Sequence, residues 1–61
     1  MPLIQVTLVE GRDNETIEGF MKAVAQTASE KLNAPMESVR VVVQEVPKNR
    51  WAVGQKLRSE S

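Results

Sequence analysis

Asn14-Glu15-Thr16-Ile17-Glu18-Gly19-Phe20-Met21-Lys22-Ala23-Val24-Ala25-Gln26-Thr27-Ala28-Ser29-Glu30-Lys31-Leu32 is the stretch that decides the fold. Ile17, Phe20, Met21, Val24, Ala28 and Leu32 recur at steps of three and four, which gathers them into one apolar stripe along a helix. Asp13, just ahead, is a good N-cap. Glu15 and Glu18 near the start and Lys31 near the end suit the helix dipole. Asn33 tolerates the left-handed conformation that ends helices, and Pro35 stops the helix from continuing. Gly19 costs roughly 1 kcal/mol against Ala in a helix interior, so it marks a candidate for close packing.

The helix is flanked by two strands. Upstream, residues 2–9 (Pro2 to Val9) alternate with a period of two: Ile4, Val6 and Leu8 share one face, and Leu3, Gln5, Thr7 and Val9 the other. Gly11 then supplies a turn. Downstream, Pro35 to Ser38 is a short connection into residues 39–46, where Val39, Val41 and Val43 oppose Arg40, Val42, Gln44 and Val46. A long helix between two strands makes a β-α-β unit, so the strands should run parallel with a right-handed crossover. Pro47 to Arg50 is a turn, Trp51 to Val53 a short apolar segment, Gly54 a second turn, and residues 55–61 a polar tail. The expected class is α/β (α+β): one β-α-β unit, residues 1–61 as a single domain, with a short C-terminal turn or hairpin.

That unit is incomplete. One helix covers one face of a two-stranded sheet, leaving Leu3, Val9, Val42 and Val46 with nothing in the chain to cover them. Both sheet edges are open, and open edges invite pairing. A chain of 61 residues buries only ~60% of the surface its unfolded form exposes. There is no cysteine to staple it, and although 41% of the residues are hydrophobic, one Trp and one Phe are the only aromatic side chains to fill a core. Self-association is the remaining remedy.

Composition also narrows function. Eight basic and eight acidic residues, spread along the chain, give zero net charge, which argues against a nucleic-acid binder with its basic stripe. No apolar run approaches a membrane span and no signal peptide is evident, so the expected location is the cytoplasm. With no His and no Cys, the usual near-neutral bases are missing. Pro2 offers a replacement. If Met1 is trimmed, the chain starts with a secondary amine; an α-amino group titrates near pH ~8, and partial burial beside cations lowers that value by disfavouring the charged form. A base poised near the working pH is what proton abstraction needs. Arg12 and Arg40 supply permanent charge and bidentate grip for carboxylates. Pro2 and Arg40 start neighbouring parallel strands and can meet. Arg12 lies at the far end of its strand, roughly 30 Å away at ~3.3 Å per residue, and reaches Pro2 only from another subunit. No phosphate-binding glycine loop or Ser–His pair competes with this reading, and Glu10 and Glu45 are ordinary strand-end charges.

The order Pro2, Leu8-Val9-Glu10-Gly11-Arg12, an amphipathic helix, Asn33-Ala34-Pro35, Ser38-Val39-Arg40-Val41-Val42, and Trp51 before Gly54 resembles the 4-oxalocrotonate tautomerase family, the short-chain branch of the tautomerase superfamily. The likeness runs over essentially the whole chain. It implies Pro2 as the general base, which takes a proton from an unsaturated dicarboxylic acid of the 2-hydroxymuconate type and returns it elsewhere on the same molecule, in the breakdown of aromatic compounds. It implies that Arg40 binds one carboxylate and the 2-oxo group, that Arg12 holds the distal carboxylate and draws electron density toward it, so that Pro2, Arg40 and Arg12 are the catalytic residues, and that Trp51 keeps the site apolar and the proline amine neutral. Ser38 and Val9 fall at substrate-binding positions. A homohexamer built as a trimer of dimers is implied, with no cofactor and no metal.

The chain departs from the pattern at its end. Trp51 stands where Phe is usual, and Asn49, Ala52 and Gln55 stand where Gly is frequent, which puts the C-terminal turn in question because Gly reaches dihedrals these residues avoid. The alternatives are a related hydratase, dehalogenase or decarboxylase reaction on short unsaturated acids, or an oligomeric binding protein without turnover.

Overall fold

The computed structural model describes residues 1–60. In chain order it contains β1 (Leu3–Val9), α1 (Asn14–Leu32), a 3-10 turn (Met36–Ser38), β2 (Arg40–Val46), a second 3-10 turn (Lys48–Arg50), β3 (Ala52–Val53), β4 (Lys56–Leu57) and a last 3-10 turn (Arg58–Glu60).

The helix begins and ends where the sequence places it. The Asp13 carboxylate accepts the Thr16 N–H at 3.0 Å, satisfying one of the donors a helix start leaves unpaired. The Thr16 side chain and then its backbone N–H hold the Asp13 carboxyl below its usual range. At the other end Asn33 adopts φ 54°, ψ 46°, and its N–H returns to the Ser29 carbonyl. Ala34 N–H joins the same carbonyl at 3.1 Å, while Ser29 Oγ donates to the Ala34 carbonyl at 2.7 Å.

β1 and β2 pair in parallel, from Leu3 opposite Arg40 to Val9 opposite Val46. Each starts one residue later than the alternation predicts. α1 packs on the face of Ile4, Val6, Leu8, Val41 and Val43, all half-buried. On the opposite face Leu3 is 60% and Val42 49% exposed. The apolar stripe of α1 is only partly used. Among the described residues Ile17 and Ala28 alone are buried, whereas Phe20 and Leu32 stay exposed. A stripe that width needs more than two strands beneath it. Gly19 meets nothing within 4 Å of an added Cβ, so packing within one chain does not demand it.

The expected C-terminal hairpin is present, and it draws in part of the segment read as a polar tail: Lys56–Leu57 turns back to pair with Ala52–Val53 in antiparallel fashion, while Ser61 lies outside the described residues. Gly54 takes φ +63° at the first central position of the turn, the arrangement of a II′ hairpin. Asn49, Ala52 and Gln55 all avoid positive φ, so the replacement of glycine at those positions leaves this turn intact.

The single chain is thin and open. Its extents are 42 × 24 × 13 Å and its radius of gyration 14.4 Å, against ~10.5 Å for a compact domain of this length. Its accessible surface is 4877 Å², where a compact monomer of this mass would show ~3,950 Å². An apolar groove of about 440 Å³ runs between β1 and α1, lined by Ile4, Phe20, Ala23, Val24, Thr27 and Ala28. Among the described residues no helix is long and apolar enough to cross a membrane.

Candidate active site

The residues singled out from the sequence gather at two ends of the sheet. Parallel pairing puts the starts of β1 and β2 at one end. There the Pro2 carbonyl accepts the Arg40 N–H at 3.0 Å, which extends the ladder one step and fixes the half-buried Pro2 against the second strand. The 3-10 turn before β2 is closed by its own bonds. Ser38 N–H and Ser38 Oγ both donate to the Pro35 carbonyl, at 2.9 and 2.8 Å. The Arg40 guanidinium donates to the Glu37 carbonyl at 2.7 Å and reaches Val39 O at 3.4 Å. Strand alternation puts Arg40 on the uncovered face, opposite to that of Ile4.

The other end holds the remaining three. Glu10 N–H donates to Val46 O at 2.9 Å, so both strands leave the sheet side by side. Arg12 then stands at the head of α1, exposed, with its guanidinium 3.4 Å from the Val9 carbonyl. It lines a cavity of about 220 Å³ whose other walls are Leu8, Thr16, Ile17 and Phe20. Trp51, half-buried, follows β2 through the Lys48–Arg50 turn, and its carbonyl accepts the Arg58 N–H at 2.7 Å.

One chain therefore brings Pro2, Ser38 and Arg40 to one end and Val9, Arg12 and Trp51 to the other. The strand between them spans ~20 Å at ~3.3 Å per residue, and a six-carbon diacid is far shorter. The six residues form one site only if the start of one subunit's sheet meets the exit end of another's. Among the described residues no group of three acidic side chains lies close enough to hold a metal ion.

Sequence reasoning overlooked the side chains beside Trp51. Lys56 and Arg58 line a cavity of about 210 Å³ with Trp51, Val53 and Leu57. The signal was present in the order of charges. Residues 46–61 carry Lys48, Arg50, Lys56 and Arg58 against Glu60 alone, while the acids outnumber the bases by three before them. A neutral total concealed a basic C-terminal segment.

Residues 2–60 match the family described as tautomerase enzyme. A probable tautomerase of Ralstonia nicotianae is 53% identical over 53 residues, 87% of this chain and 76% of that protein. A 2-hydroxymuconate tautomerase of Pseudomonas fluorescens is 41% identical over 54 residues, 88% of this chain and 86% of that protein. Among solved structures, TomN, a 4-oxalocrotonate tautomerase homologue in the tomaymycin biosynthetic pathway, superposes with a TM-score of 0.92 at 44% identity, covering 97% of this chain and 91% of its own. A heterohexamer 4-oxalocrotonate tautomerase from Chloroflexus aurantiacus gives a TM-score of 0.93 at 33% identity, covering 98% and 97%. The β-α-β unit with its C-terminal hairpin is the fold expected from the sequence.

Proposed function

Because the chain belongs to the tautomerase family and is an isomerase, we propose that it interconverts the enol and keto forms of unsaturated 2-hydroxy and 2-oxo dicarboxylic acids of the 2-hydroxymuconate type, with Pro2 as general base once Met1 is removed. Each subunit is one tautomerase-like domain over residues 1–61. The observation that carries this reading is the Pro2 carbonyl bonded to the Arg40 N–H at 3.0 Å: it anchors the future terminal amine against a strand that brings a permanent cation.

The amine lone pair accepts a proton from the substrate and leaves a dienolate, its charge spread over the 2-oxygen and the conjugated chain. The prolinium returns the proton at another position, and the double bonds shift. No atom or electron is gained or lost, and no cofactor takes part. Arg40 stabilises the 2-oxygen as charge develops on it. Arg12 grips the far carboxylate through two parallel hydrogen bonds. Trp51 excludes water, and low polarity favours the neutral amine. Ser38 and Val9 border the substrate.

The site requires association, and the open chain supports it. The apolar groove of about 440 Å³, exposed Leu3 and Val42 and two free sheet edges each require a partner. We assign a homohexamer, a trimer of dimers, in which Arg12 enters a neighbour's site.

The test pairs intact mass with ketonisation of 2-hydroxymuconate on one sample. Protein lacking Met1 should turn over rapidly. Pro2→Ala, and any fraction retaining Met1, should be slower by about 10²-fold or more, the usual worth of a positioned base. Full activity in Pro2→Ala would overturn the proline mechanism. If hydration or decarboxylation products replace the keto tautomer, the chemistry is that of another branch of the superfamily.

A further inference from the structure

We propose that Ser38 is a positioning residue for Arg40: through the turn that precedes β2 it presets the guanidinium, which then meets substrate with one edge only. The inference deepens the tautomerase reading and rests on it for the role of Arg40. The geometry follows from the planarity of one peptide unit. The Glu37 carbonyl and the Ser38 N–H belong to the same plane and, in a trans unit, point in opposite directions. The Ser38 N–H donates to the Pro35 carbonyl at 2.9 Å, and the Ser38 hydroxyl donates to that same carbonyl at 2.8 Å. Two bonds from one residue to one acceptor fix the plane. The Glu37 carbonyl is thereby turned away from Pro35, where Arg40 Nη1 donates to it at 2.7 Å.

The acceptor is itself held. Pro35 has its φ at −60°, locked by its ring, and the Ala34 carbonyl just before it accepts the Ser29 Oγ of α1 at 2.7 Å. The turn is therefore tied to the end of the helix on one side. On the other it is tied to the start of β1, through the Arg40 N–H on the Pro2 carbonyl at 3.0 Å. A hydrogen bond from a cation is stronger than a neutral one, and it folds a long side chain back toward the end of the sheet where Pro2 stands. Nη1 also reaches Val39 O at 3.4 Å, so this nitrogen is directed at the main chain. Arg40 is exposed, and among the described residues these two carbonyls are the partners of its guanidinium. The donors on Nε and Nη2 form the edge left for a ligand. Such an edge suits two oxygens on one planar group, and its direction is set before substrate arrives. The Ser38 hydroxyl spends its single proton on Pro35, so its contribution to the reaction passes through Arg40.

The test compares Ser38→Ala and Ser38→Thr, each with and without Arg40→Ala, in the assembled protein lacking Met1. Ser38→Ala should lower kcat for 2-hydroxymuconate by about 5-fold, the worth of one hydrogen bond, with KM changed by less than about twofold. Ser38→Thr keeps the hydroxyl and should restore kcat. Pro35→Ala loosens the same acceptor and should act in the direction of Ser38→Ala. In the Arg40→Ala background, adding Ser38→Ala should cost less than about twofold, because the two residues act as a unit. Heteronuclear NMR of the Arg40 side chain reads the positioning without turnover: the order of its Nε–H should fall in Ser38→Ala and return in Ser38→Thr. Unchanged kcat in Ser38→Ala overturns the proposal. Equal losses with and without Arg40 overturn it too, since a hydroxyl that touches substrate, or only supports the fold, acts in both backgrounds. A lower kcat with the Nε–H order intact overturns it as well. Failure of the tautomerase reading looks different: the wild type then does not turn over 2-hydroxymuconate, while the order of Arg40 still depends on Ser38, which sustains the positioning role.

Discussion

The two ends of the sheet are built differently. At the end where the strands begin, the chain completes its own structure: Arg40 N–H holds Pro2, Ser38 closes on Pro35, and the Arg40 guanidinium sits on the Glu37 carbonyl at 2.7 Å. At the end where the strands leave, Arg12 has a single long hydrogen bond of 3.4 Å to Val9, and the hairpin bearing Trp51 is bonded chiefly to itself. The first end is ordered by local sequence. The second presents the Arg12 guanidinium and the half-buried Trp51 with little among the described residues to fix them. The proposed base, Pro2, belongs where geometry must be fixed before substrate arrives. The recognition groups can be brought by a neighbour, because association is needed in any case to bury the uncovered sheet face.

The strongest way to break this comparison is to disable one end in each of two subunit types. Pro2→Ala removes the start end and Arg12→Ala the exit end; with substrate well below KM, the Pro2→Ala homo-oligomer should be nearly inactive and the Arg12→Ala one should keep about a tenth of wild-type turnover or less. Mixed by unfolding and refolding together, the two should regain about one quarter of wild-type sites, since half the start ends and half the exit ends are intact and closed symmetry pairs them at random. If both ends of a site came from one subunit, mixing would restore nothing. The readout is 2-hydroxymuconate turnover per active site after refolding, against unmixed controls.

A smaller effect should separate the arginines by role. Arg40→Lys keeps the charge but loses the planar fork. It should lower kcat by about 10²-fold if the guanidinium stabilises the developing oxyanion, with little change in KM. Arg12→Ala should raise KM by about 10-fold, since the distal carboxylate is held before charge develops, and lower kcat by a smaller factor, since the same cation draws electron density in the transition state. The reverse pattern would exchange the two ends' assignments. Arg40 also closes the turn before β2, so thermal unfolding of the Lys variant is measured alongside; an unchanged midpoint attributes the kinetic loss to the site.

These differences also explain what was legible in the sequence. The helix limits were readable because their signals are local: Asp13 caps Thr16, and Asn33 with Pro35 stops the chain. Parallel pairing followed from the connection, and the nearness of Pro2 and Arg40 followed from parallel strands starting at one edge. The fate of Phe20 and Leu32 was not local. Periodicity marks both as apolar-face residues, but their cover is not in the chain. A C-terminal hairpin was expected, but the place of its second strand, Lys56–Leu57, was not readable, because two residues, one of them charged, carry no periodic signal. Its basis is Gly54, whose positive φ reverses the chain. The basic character of the segment that holds Lys56 and Arg58 was hidden by a net charge of zero.

The subtlest test concerns what sets the exit end at all. Asp13 follows Arg12 directly, and its bond to Thr16 N–H at 3.0 Å fixes where α1 begins, hence where Arg12 stands. Thr16 holds the Asp13 carboxyl below its usual range, so the ionised cap favours the folded chain. The stabilisation is complete above the ordinary carboxylate pKa and is lost as pH falls through the lowered native value. Asp13→Ala should lower the thermal midpoint slightly at pH 7 and remove that acid-dependent component. Asp13→Asn caps without titrating, so it should keep most of the midpoint at pH 7 and lose only the pH dependence. If the cap places Arg12, Asp13→Ala should also raise KM for 2-hydroxymuconate by about twofold with kcat unchanged, because the start end is untouched. A fall in kcat instead would mean that the two ends are coupled through α1, and that the fixed end depends on the presented one.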